Sequence, residues 1–185
     1  QIADPQVRAM GTVGGNVSNG DPGNDMPGLM QCLNATFHVT GPSGSRTIPA
    51  REFYESAYLT AREDDEILTA VSFDAPTGGQ AYEKQKRKIG DYATAAAAVI
   101  LTRSGDHCTA ASIAMTNLSD TPIWAEAAGN ALIGTACGED AVIAAITAMQ
   151  TAIDPSEDNR GPVEFKRHAA GIILARAIAR AWSRA

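Results

Sequence analysis

Six glycines crowd the stretch from Arg8 to Met30, RAMGTVGGNVSNGDPGNDMPGLM, together with Pro22, Pro27, three asparagines and two aspartates. This constrains the chain more than any other feature. Glycine lets backbone approach a ligand closely, and successive N–H groups in tight turns form concavities that accept anions. The same residue types also make ordinary connecting turns, so composition alone leaves two readings open: a phosphate-binding loop or a turn-rich connector. The spacing excludes two well-known alternatives. The stretch is not G-x-G-x-x-G following a strand, and no G-K-[ST] follows it.

The string Thr12-Val13-Gly14-Gly15-Asn16, then Asp21-Pro22, then Asp25-Met26-Pro27, is more specific. It resembles the second flavin-binding motif of the FAD-carrying medium subunits of molybdenum hydroxylases. Ile2 to Arg8 resembles the lead-in to that motif, and Lys84-Gln85-Lys86-Arg87-Lys88-Ile89-Gly90-Asp91-Tyr92-Ala93-Thr94-Ala95 resembles the family's second landmark. Within the family both segments look closest to the branch that oxidises carbon monoxide aerobically, with hydroxylases of N-heterocycles as an alternative. The specific motifs lie before Ala96; the general likeness runs to the C-terminus.

The resemblance implies an electron-transfer flavoprotein subunit. FAD would be its cofactor, with the molybdenum cofactor and [2Fe–2S] clusters on partner chains: an iron–sulfur small subunit and a molybdenum large subunit of a heterotrimer that dimerises. Electrons from the clusters would pass through FAD to an external acceptor, so the chain is an oxidoreductase subunit whose substrate site lies elsewhere. The family also uses an upstream Gly-rich motif that this sequence lacks. A start without Met so near a binding motif is that of a segment of a longer polypeptide, and an assembly module without flavin is the competing reading.

The resemblance also assigns roles. Backbone N–H groups of Thr12, Val13, Gly14, Gly15 and Asn16 are expected to bind pyrophosphate oxygens, with the Thr12 hydroxyl and Asn16 amide adding donors. Asp25 suits ribityl hydroxyls, although an aspartate there also suits a turn or helix N-cap. Tyr92 is the aromatic expected near the isoalloxazine ring; without the resemblance it reads as a core tyrosine. Such basic runs are usually solvated, but Lys84, Lys86, Arg87 and Lys88 could also stabilise reduced flavin or contact a partner subunit, and Lys84 is selected among them. Leu68, beside Ile67, is expected near the flavin, with plain core packing as the alternative.

The remaining chemistry is negative. No catalytic triad, carboxylate dyad or metal-ligand spacing occurs, and Cys32, Cys108 and Cys137 form no C-x-x-C pair. Free thiols and no secretory signal at the start imply the cytoplasm. A net charge of −6 argues against nucleic acid. No apolar run reaches the ~18 residues of a membrane span. Three Asn-x-Ser/Thr triplets, at Asn16, Asn34 and Asn117, are taken as chance.

The chain divides at Ala75-Pro76-Thr77-Gly78-Gly79. Residues 1–76 read as α/β, the second half of a flavin-binding domain. They include a short helix before Thr36, a hairpin at Gly41–Gly44, a brief helix over 49–58 and a strand over 67–73. Residues 77–185 read as α+β, with a three-stranded antiparallel sheet (81–88, 94–102, 108–116) and three helices. The alanines at 95–98 favour helix by propensity, but Val99-Ile100-Leu101 and the following turn favour a strand. The helices are expected over 121–132, 140–153 and 162–182; the last carries an apolar stripe through Leu174, Ile178 and Trp182.

Overall fold

The computed structural model describes residues 2–185. Two antiparallel sheets carry the fold. The first has strand order β2-β1-β5, formed by β1 (Thr36–Gly41), β2 (Gly44–Pro49) and β5 (Ile67–Ser72). Between β2 and β5 lies a small separate hairpin of β3 (Tyr54–Ser56) and β4 (Leu59–Thr60). The second sheet runs β6 (Gly79–Gln85), β7 (Ala95–Ser104), β8 (His107–Thr116), β9 (Ile123–Trp124) in that order. Residues 73–78 have no regular structure; of the expected linker Ala75–Gly79, the last residue, Gly79, already belongs to β6.

Helix α3 (Asp25–Cys32) joins the two halves, and β7 explains how. Ala95, Ala96, Ala97 and Ala98 are all buried. Side chains alternate across a strand, so Ala95 and Ala97 face the core under α6 (Val163–Trp182), whereas Ala98 with Ala114 of β8 meets Cys32 of α3. A strand covered by helices on both faces leaves room only for small side chains. Helical propensity is overridden here by burial.

Leu101, Ile113, Met115, Leu132, Met149, Leu174 and Ile178 fill the core between the second sheet and its helices, α4 (Glu126–Asn130), α5 (Glu139–Ala152) and α6. Each large side chain buried there contributes roughly 1.5–3 kcal/mol. The first sheet has its own core around Phe37, whose ring meets Phe53 edge-on at 4.6 Å.

The structure corrects the sequence reading in three places. The Gly-rich stretch begins with two short helices, α1 (Pro5–Met10) and α2 (Val13–Ser18). Asp4 caps the first and Thr12 the second, each by accepting from the N–H three residues on. The helix expected over 49–58 is a single 3-10 turn, Ala50–Glu52, followed by the β3–β4 hairpin. There Phe53 and Tyr54 are drawn onto Phe37, and Tyr58 turns the chain with φ 62°. The three expected long strands are present, with β9 added at the edge where a helix over 121–132 was expected. Ile123 and Trp124 pair with Met115 and Ala114, Arg51 stacks 3.6 Å from the Trp124 ring, and the helix shrinks to Glu126–Asn130.

A Cβ at Gly28 would overlap Thr116 Oγ1 where α3 lies on β8. Gly28→Ala is expected to destabilise by about 1–3 kcal/mol, the cost of overpacking, read as a lower urea midpoint. On the first sheet, hydrogen bonds from Arg46 hold the Glu66 carboxyl at about 2. A depressed carboxylate stabilises fully above its unfolded value and loses that contribution as pH falls towards the folded value. Glu66→Gln is therefore expected to flatten the acid limb of the stability curve between about pH 4.3 and 2, measured by thermal melts across that window.

Candidate functional site

Two adjoining clefts open beside α1 and α2. One, of about 270 Å³, is lined by Ile2, Ala3, Val7, Arg8, Gly11, Thr12, Val13, Asn16 and Met26. The other, of about 160 Å³, is lined by Ile2, Ala3, Val7, Asn16, Asn24, Asp25, Lys84, Gly90, Asp91 and Tyr92. They share Ile2, Ala3, Val7 and Asn16, so the two clefts adjoin along one groove. Thr12, Val13, Asn16, Asp25, Lys84 and Tyr92, far apart in sequence, all line it.

The T-V-G-G-N segment is the first turn and a half of α2, not a free loop. Gly15 N–H donates to Thr12 Oγ1 at 2.9 Å and Asn16 N–H to the Thr12 carbonyl at 3.0 Å. Those two donors are therefore engaged within the helix. A Cβ placed on Gly14 meets nothing within 4 Å, so that face is open. Val17 anchors the helix, fully buried against the first core. The Asn16 carbonyl accepts from Asn24 Nδ2 at 3.2 Å, which ties α2 to the start of α3. Asn16 Oδ1 is buried and has no hydrogen-bond partner. A buried amide oxygen left unpaired is costly, and here it belongs to a groove-lining residue.

Asp25 opens α3, where a negative charge complements the helix dipole. Its carboxylate accepts from Lys84 Nζ at 2.8 Å and from the Tyr82 hydroxyl. The Asp25 and Lys84 side chains are 8% and 1% exposed, so this is a buried ion pair. Burial, and then the Asp25 charge, push the Tyr82 hydroxyl well above its ordinary value, keeping it a proton donor. Lys84 and Tyr82 share one face of β6 by strand alternation. That spacing signalled a joint partner for Asp25, and the sequence reading passed over Tyr82.

Tyr92 follows the turn at Gly90 and is 44% exposed. Its ring rests against Gly23, where a Cβ would come within 3.0 Å of Cδ1. Burial and then the Asp21 carboxylate raise its hydroxyl above the ordinary range. It is therefore a partly open ring at the groove wall rather than a core tyrosine.

Leu68 sits apart from the groove. It lies in β5 opposite Val39 and packs on the first core, the alternative considered for it, while neighbouring Ile67 is exposed. Ile2, Ala3 and Val7 were not singled out as site residues, although the segment Ile2–Arg8 carried part of the family resemblance. Among the described residues no helix is long and apolar enough to cross a membrane, and no cluster of His, Cys, Asp and Glu could hold a metal ion.

Residues 1–76 match the family model described as the FAD binding domain in molybdopterin dehydrogenase. Residues 80–181, more than half of the chain, match the CO dehydrogenase flavoprotein C-terminal domain. The chain belongs to this flavoprotein family of molybdenum hydroxylases. Within it, the chain is 56% identical over 186 residues to the carbon monoxide dehydrogenase medium chain of Afipia carboxidovorans, covering 100% of this chain and 65% of that one. It is 42% identical to the medium chain of Hydrogenophaga pseudoflava, covering 99% and 64%. The solved structure of reconstituted CO dehydrogenase from Oligotropha carboxidovorans superposes with a TM-score of 0.97 at 56% identity, covering 100% of this chain and 65% of that one. The chain thus spans slightly less than two thirds of the length of these relatives.

The buried pair gives a direct test. Breaking a buried ion pair by removing one partner costs roughly 3–5 kcal/mol, whereas replacing both by apolar groups is far milder. Lys84→Met is expected to destabilise by that amount, and Lys84→Met with Asp25→Leu to recover most of it, measured by denaturant unfolding.

Proposed function

We propose that this chain is the FAD-carrying part of the medium subunit of an aerobic carbon monoxide dehydrogenase. In this reading residues 1–76 complete a flavin-binding domain and residues 77–185 form the subunit's C-terminal domain. The observation that carries the reading is the shared groove: the T-V-G-G-N helix start, Asp25, Lys84 and Tyr92 converge on it from three parts of the sequence. The residues fit a flavin dinucleotide in kind. The open face at Gly14 admits a bulky anion beside backbone N–H groups, and the unpartnered Asn16 Oδ1 would accept a ligand hydroxyl. Each cleft is smaller than the ~300–1,000 Å³ of an ordinary ligand pocket. That accords with a site completed by the part of the subunit these residues do not include.

FAD held here would supply the redox chemistry between iron–sulfur clusters of a partner and an external acceptor. The chain's own residues bind and orient. Val13 and Gly14 present N–H groups at the open start of α2. Asp25 retains lone pairs for a ribityl hydroxyl beyond those engaged by Lys84 and Tyr82. Lys84 orients the Asp25 carboxylate at the groove wall, and its charge would act on reduced flavin only through that ion pair. The partners in this reading are an iron–sulfur small subunit and a molybdenum large subunit, in a heterotrimer that dimerises. The three free cysteines suit a reducing, cytoplasmic setting.

Gly14→Val tests the pyrophosphate role, because a Cβ at this position meets nothing within 4 Å. The expected outcome in the complete subunit is loss of FAD absorbance after gel filtration, with the melting profile of the second sheet retained. Equal flavin content in variant and parent would sink the assignment.

A further inference from the structure

Arg160 lies in the connection between α5 and α6 and reaches back to the groove. Its Cζ sits 5.1 Å from the centroid of the Tyr92 ring, within cation–π range. The Arg160 side chain is only 17% exposed and its guanidinium is held by two carboxylates, Asp158 (Nη1 to Oδ2, 3.2 Å) and Asp91 (Nη2 to Oδ1, 3.8 Å). Asp158 is fixed in turn by Lys166, a lysine 2% exposed on α6, at 2.9 Å. Asp91 Oδ1 also accepts from the Tyr92 backbone N–H at 2.9 Å, and Arg87 binds its other oxygen at 3.0 Å. A chain of charge contacts thus runs from the buried end of α6 to one exposed aromatic ring.

We propose that Arg160 is a positioning residue for Tyr92. It fixes the ring at the mouth of the groove and, on the reading above, sets how the ring meets the flavin. Tyr92 needs such a hold. It is 44% exposed and follows a glycine turn with φ +84°, so local packing restrains it weakly. Gly23 supports the ring edge and Asp21 faces the hydroxyl. Arg160 adds a planar cation whose own orientation is fixed by the two carboxylates. The Nε of Arg160 is buried without a hydrogen-bond partner. Lysine would keep the charge but lose the planar fork that engages two carboxylates and a ring together.

The test uses the complete, flavin-loaded subunit labelled with 3-fluorotyrosine. The Tyr92 fluorine resonance is assigned by its loss in Tyr92→Phe. Arg160→Gln is expected to shift and broaden it, with Arg160→Lys intermediate. Flavin fluorescence is expected to rise several-fold in Arg160→Gln at equal flavin content, and to change no further when Arg160→Gln is added to Tyr92→Leu. Should Arg160→Gln unfold, Arg160→Lys carries both readouts. An unmoved Tyr92 resonance overturns the proposal. So does a fluorescence change that persists undiminished in Tyr92→Leu, because Arg160 would then act without the ring. If Tyr92→Leu alone leaves flavin fluorescence unchanged, the flavin reading of the ring fails, while the fluorine resonance still decides whether Arg160 positions it.

Discussion

The ion pair between Asp25 and Lys84 fixes how the two halves of the molecule meet. The face that the second sheet turns towards α3 is made largely of alanine, with Ala98 and Ala114 packed around Cys32. Such a surface attracts a helix but offers few ridges to set its position along the strands. Register comes from polar contacts at either end of α3. At its start, Asp25 takes hydrogen bonds from Lys84 and Tyr82. At its end, Ser112 Oγ donates to the Cys32 carbonyl at 2.7 Å. Buried ion pairs contribute little net stability against an apolar replacement, and their best-attested use is to specify one arrangement over its neighbours. The groove inherits its geometry from that choice, since Asn16, Asn24 and Asp25 all move with the start of α3.

What the sequence revealed and what it hid divide along a physical line. The long strands, the last two helices and the hairpin at Gly41–Gly44 were legible because periodicity and turn chemistry are local. So was the alanine strand, once the residues after it were weighed against propensity. The failures lie where distant residues decide. Tyr54 is strand because Phe37, seventeen positions earlier, collects the aromatic rings. Ile123 and Trp124 are strand because β8 offers a free edge and Arg51 a stacking partner. The helices at Pro5 and Val13 were a different kind of miss. Asp4-Pro5 is an N-cap followed by proline, and Thr12 caps Gly15, so both starts were written locally. The density of glycine obscured them.

The candidate site follows the same division. The T-V-G-G-N string and Tyr92 were readable as a resemblance, and Thr12, Val13 and Asn16 of the string line the groove together with Tyr92. The environment of each was not. The sequence offered Asp25 and Lys84 as independent contacts for a cofactor; the structure makes each the other's nearest charged partner. Leu68 was expected near the flavin and instead packs, partly buried, against the first core, the alternative its apolar side chain left open. Arg160, 68 positions from Tyr92, had no local signal at all, because its role exists only once α5, α6 and the turn at Gly90 are brought together.

The chain enters the second sheet through Gly78 and Gly79. A Cβ on Gly78 would overlap the carbonyl of Leu101, and one on Gly79 the carbonyl of Ala181 near the end of α6. Both obstacles are main-chain atoms. A crowded side chain can be relieved by shortening its neighbour, but no substitution elsewhere shortens a carbonyl. The two glycines therefore have no partners with which to co-vary. In a lineage drifting at every surface and through much of its core, they would persist as fixed points, and correlation between sequence columns would be silent about why.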